Sequence, residues 1–143
     1  MSVEPALTRA ALGPAAGAVM FLLLTGGRFP RALPRPVGRG LIVGWLRLGA
    51  VAGLEEVVWR GAVLGGLAFL LGPWLALAGS SAAFAVWHWP TLRRWCAVHF
   101  ITGAAFGGAF LAGGLTAAML AHALYNLLVD WAIRAERARL RGP

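Results

Sequence analysis

Five long apolar stretches constrain this chain more than anything else in it. They run from Ala10 to Gly27, Gly40 to Leu71, Pro73 to Trp89, Cys96 to Leu111 and Leu115 to Ile133. A bilayer core about 30 Å thick is crossed by about 20 apolar helical residues, and lipid offers no partner for backbone groups, so runs of this kind predict membrane helices. Composition agrees: 59% of residues are hydrophobic, 13% are charged and the mean hydropathy is +0.74, values foreign to a soluble domain. The expected fold class is all-α, a polytopic membrane helix bundle of about five transmembrane spans. It fills residues 1–143 as a single integral-membrane domain.

The segment from Gly40 to Leu71 is too long for one perpendicular span. It is either one long tilted helix or two short crossings, the latter giving six spans. Arginine decides between them. The clusters Arg28, Arg31, Arg35 and Arg39; Arg93 and Arg94; and Arg134, Arg137, Arg139 and Arg141 all fall on one side if the segment crosses once, as the cytoplasmic preference of basic loops requires. Five spans, with the N-terminus outside, is therefore the preferred topology.

The net charge of +8 invites a nucleic-acid reading, but the basic residues are all arginine and most sit at the ends of apolar segments, not along one face. The expected partners are the lipid bilayer and a peptide or membrane-protein substrate, with no nucleic acid. Ala10 to Leu24 has the length of a signal peptide, yet no small-residue cleavage site follows, so it reads as a retained span. The lone Cys96 excludes an intramolecular disulfide and packs near a helix start. Abundant Ala, Gly and Arg without Lys suits a GC-rich bacterial genome, which places the protein as multi-pass in a bacterial inner membrane. Trp45, Trp87, Trp89 and Trp95 fit an interfacial aromatic belt. The Gly-x-x-x-Gly pairs Gly40/Gly44, Gly49/Gly53, Gly61/Gly65 and Gly103/Gly107 read as close helix packing.

Polar groups inside these apolar runs are expensive and by default mark function. In Glu55-Glu56-Val57-Val58-Trp59-Arg60, helical geometry sets the two carboxylates about 100° apart. Glu56 and Arg60, four apart, are placed to form an ion pair. Glu55 points elsewhere without a local partner. Partial desolvation makes such a carboxylate more basic, as a general base near neutral pH needs. Phe84 and His88 share one helical face, and His122 and Asn126 repeat the four-residue spacing on another helix. His99 reads as a bystander. Brought to one depth, Glu55, His88, His122 and Asn126 would hold a water, deprotonate it and stabilise an oxyanion.

EEVVWR at 55–60, FAVWH at 84–88 and HALYN at 122–126 resemble, in order, the EExxxR, FxxxH and HxxxN motifs of the CPBP family of intramembrane proteases, also called the ABI or CAAX-protease family. The resemblance covers about residues 41–130. It implies an intramembrane endopeptidase acting near the cytoplasmic face, with Glu55 activating water, assisted by His88, and His122 and Asn126 facing the oxyanion. Glu56, Arg60 and Phe84 are implied as supporting residues. No cofactor is obligatory on this reading. Two His and a Glu, namely His88, His122 and Glu55, would also supply a three-ligand zinc site, though no HExxH pair fixes two ligands on one helix. Two other classes stay open: a non-catalytic membrane protein of the bacteriocin-immunity or scaffold type, and a b-type haem subunit ligated by His88 and His122, which leaves Glu55, Glu56 and Arg60 unexplained.

Overall fold

The computed structural model describes residues 4–28 and 38–141, and among them every regular element is helical. Arg31 and Arg35 of the first basic cluster lie outside the described residues. Helix α1 spans Glu4–Leu24. Helix α2, Arg39–Glu56, passes without a break into a π-helical stretch, Val57–Leu64, and then into α3, Gly65–Leu71. Both junctions keep right-handed helical angles. The segment that was ambiguous in sequence is thus one rod, about 50 Å long at 1.5 Å per residue. Helix α4 spans Pro73–Leu92, a short 3-10 turn covers Arg93–Trp95, and α5 runs over Cys96–Leu140 with a break at Gly114.

Two glycines make the sharp reversals. Gly72 (φ 78°, ψ 164°) separates α3 from α4, and Gly114 (φ 79°, ψ −174°) divides α5 into two arms. These angles fall in a region that only glycine occupies cheaply. Pro73 follows at the first position of α4, where its missing N–H costs nothing.

Helix α5 is the hub, touching α1, α2 and α4. Its tightest seam is with α1. A methyl group on Gly13 or Gly17 would collide with the backbone carbonyl of Ala117 or Ala121, so two pairs of small residues, each four apart, bring the backbones together. The core around this seam is Phe106, Ala109, Ala117 and Ala121, with Ala16, Ala105 and Tyr125 against it. Among the four Gly-x-x-x-Gly pairs, Gly103/Gly107 makes the close approach expected, against Ser81 and Phe84 and against Leu77. Gly40, Gly44, Gly49 and Gly61 face open space. Gly53 meets only the Met119 methyl.

The outer surface is apolar: Phe69 is 90% exposed and Trp74 77% exposed. Such a surface suits lipid and would be a liability in water. Among the described residues, Cys96–Leu140 is the one helix long and apolar enough to cross a membrane by length and composition, with Ala11–Leu24 a shorter apolar helix.

Candidate active site

The polar side chains of α2 and its π-helical continuation meet Phe84 of α4, Gly103 and Phe106 of the first arm of α5 and His122 of the second. π-Helical insertions are frequent at functional sites, and Arg60 lies within this one. Glu56 and Arg60 are completely buried, and the Glu56 Oε2 and Arg60 Nε atoms stand 3.1 Å apart. They are in ion-pair range but not aligned as a hydrogen bond. Arg60 is held more directly by its Nη2, which donates to the Gly103 carbonyl at 2.9 Å. Its guanidinium carbon also lies 4.9 Å from the centre of the Phe84 ring and 6.0 Å from that of Phe106. A buried cation is thereby offset by one carboxylate, one carbonyl and two aromatic faces.

His122 stands beside both glutamates. Its Nδ1 lies 2.8 Å from Glu56 Oε1, and its Nε2 lies 3.8 Å from Glu55 Oε2. An ionised carboxylate only accepts, so Nδ1 carries the proton in the Glu56 hydrogen bond. This carboxylate–imidazole contact fixes the ring's tautomer and aims Nε2 at Glu55. Phe106 stacks on the same ring, centroids 4.7 Å apart. Glu55 is 34% exposed at its side chain while Glu56 is wholly buried, so of the adjacent carboxylates only Glu55 is accessible from outside the bundle.

Glu55, which has no partner nearby in sequence, is given one by the fold, which brings His122 beside it. His88 sits apart from Glu55, and no hydrogen bond or ion pair joins them among the described residues. The His88 Nδ1 donates to the Phe84 carbonyl one turn earlier at 2.9 Å, and the ring packs edge-on to Phe84, centroids 4.5 Å apart. Asn126 lies one turn beyond His122, half-buried, with no hydrogen bond to the cluster.

His99, dismissed from the sequence as a bystander, belongs to the same neighbourhood. It stacks on His88 with centroids 4.3 Å apart and planes 25° apart. No motif spacing reports it, because the rings it packs against, His88 and Phe84, lie on another helix. Gly103 was legible only as a packing residue, yet its carbonyl is the group that receives Arg60.

A zinc ion would need three side chains around one point. The Nδ1 atoms of His88 and His122 are engaged by the Phe84 carbonyl and by Glu56, which leaves Nε2 as the free donor of each ring, and the Phe84 ring packs against both imidazoles. Among the described residues no three of His, Cys, Asp or Glu are gathered closely enough to hold a metal ion in this arrangement.

Residues 38–128 match the family model described as "Type II CAAX prenyl endopeptidase Rce1-like". The match spans the whole cluster from Glu55 to Asn126 and leaves α1 outside it. No curated protein and no solved structure matches the chain. The family is one of membrane-embedded peptidases.

Proposed function

The chain belongs to the Rce1-like family of type II CAAX prenyl endopeptidases, and on that premise we propose that it hydrolyses a peptide bond of a membrane-associated substrate, near the cytoplasmic side of the membrane, with Glu55 as general base. The observation that carries this reading is the pair of adjacent carboxylates with divided surroundings: Glu56 locked to Arg60 and His122, Glu55 partly exposed and 3.8 Å from His122 Nε2.

A water beside Glu55 Oε2 gives up a proton to the carboxylate as its oxygen attacks the scissile carbonyl. The proton then passes from Glu55 to the departing amine. His122 presents Nε2 to the same space; in its imidazolium form, held by Glu56 through Nδ1, it donates to the oxyanion, with Asn126 the second donor one turn away. Glu56 acts through His122 and is a positioning residue, and Arg60 secures Glu56. His88, stacked on His99 and edge-on to the Phe84 ring that also meets His122, comes into reach of Glu55 through a water or the substrate. No metal is obligatory in this scheme.

We place the protein as a five-span, multi-pass chain in a bacterial inner membrane, with the unbroken rod from Arg39 to Leu71 counting as one tilted span. The family description names CAAX prenyl endopeptidases, so prenylated C-terminal peptides are the first substrates to try. The deciding experiment is cleavage of such a peptide by purified wild type and Glu55→Gln. The variant should insert and fold normally and lose turnover; unchanged turnover would remove Glu55 from the role of base.

A further inference from the structure

Away from the carboxylate cluster, an open groove of about 330 Å³ separates α2 from the second arm of α5. It is lined by Gly44, Arg47, Leu48, Val51, Asp130 and Arg134. The α2 residues are spaced as one helical face, and Asp130 and Arg134 lie four apart on the opposing helix, so each wall is a single face. Asp130 closes one end. Its Oδ2 accepts from Trp45 Nε1 at 2.8 Å and from Arg134 Nε at 2.6 Å. Both bonds go to one oxygen, and the Asp130 contact leaves the Nη atoms of Arg134 unengaged. Arg47 is exposed and in no ion pair among the described residues. The lining thus holds two guanidiniums and one carboxylate, and the groove carries a net positive charge.

The charge is confined to that end. Beyond Arg47 the wall is Leu48 and Val51, and the neighbouring Leu54 is 69% exposed. A methyl group on Gly44 would touch nothing, so the groove stays open at its rim. A cationic end with paired guanidinium forks, an amphipathic indole beside it and an aliphatic wall beyond has the polarity of a phospholipid lying along a helix.

We infer that this groove is a binding site for an anionic phospholipid, its phosphate held by Arg47 and Arg134 and an acyl chain laid over Leu48 and Val51. The site needs none of the residues assigned to peptide hydrolysis. Asp130 orients Arg134 through Nε and leaves its terminal nitrogens for the phosphate oxygens.

The test is native mass spectrometry of the full chain in neutral detergent, titrated with phosphatidylglycerol or with phosphatidylcholine of identical acyl chains. Wild type should retain phosphatidylglycerol in preference to phosphatidylcholine, and Arg47→Gln should weaken that retention about five- to tenfold, the scale of one basic residue at a lipid headgroup. Arg134→Gln should do the same, which guards against a fault peculiar to one variant. Arg139, outside the groove and paired with Glu136, supplies the control: Arg139→Gln should bind as wild type. Equal retention of the two lipids would overturn the assignment. So would Arg47→Gln binding as wild type, or an equal loss in Arg139→Gln, which would mean diffuse surface charge. Glycerol phosphate, lacking acyl chains, should displace the lipid only in large excess; displacement at equal concentration would mark a plain anion site and also overturn it.

Discussion

Glu55 and Glu56 are neighbours in sequence with opposite surroundings, and the difference makes separable predictions. Glu56 touches Arg60 and His122 and has no exposure. Removing it in Glu56→Ala strands a buried guanidinium and frees a buried imidazole. The cost should be about 3–5 kcal/mol, as for other broken buried pairs, read as a lower melting temperature in detergent; a wild-type melt would mean that the pair does not hold the bundle. Glu55→Gln, a third exposed and only loosely facing His122, should melt like wild type while losing activity. The local part of this was legible beforehand: the four-residue spacing of Glu56 and Arg60 follows from helix geometry alone. Which carboxylate His122 would meet was not legible, because that contact crosses 66 positions of sequence.

At the scale of elements, the molecule depends on places where side chains are missing. Gly17→Val should push α1 off α5, costing about 1–3 kcal/mol as overpacking does, measurable by thermal unfolding in detergent. Gly114→Ala tests the reversal between the arms of α5. Its backbone angles should cost about 1–3 kcal/mol when a Cβ is present, in the same unfolding assay. The five apolar segments and their helical state could be read from the sequence, since run length and hydropathy report them directly. Helix seams could not. Gly13 and Gly17 form the tightest one, whereas Gly40/Gly44, with the same spacing as Gly103/Gly107, meets nothing. Spacing shows that close approach is feasible but does not say which helix arrives. The π-helical stretch at 57–64 likewise has no signature in its residues, which read as ordinary helix formers and β-branched apolar groups.

For the whole molecule, the proposed five-span topology sets the two termini on opposite sides of the membrane. Reporter fusions at each end should give opposite compartments, with the arginine-rich C-terminus inside; matching signals would require the rod from Arg39 to Leu71 to enter and leave on one side. Cleavage should survive exhaustive chelation, because the histidines and Glu55 are not gathered around one point. Loss with chelator and recovery with zinc would show that the catalytic conformation regroups them.

The seam between α1 and α5 reaches further than packing. Helix α1 lies outside the family match, yet Gly17 rests on the backbone of Ala121, the residue immediately before His122. Any leading segment grafted onto this scaffold must therefore fit like a key with a notch cut at two teeth. A bulkier replacement, however greasy, would lever the imidazole away from its glutamates, so a helix outside the family match sets the aim of the central histidine.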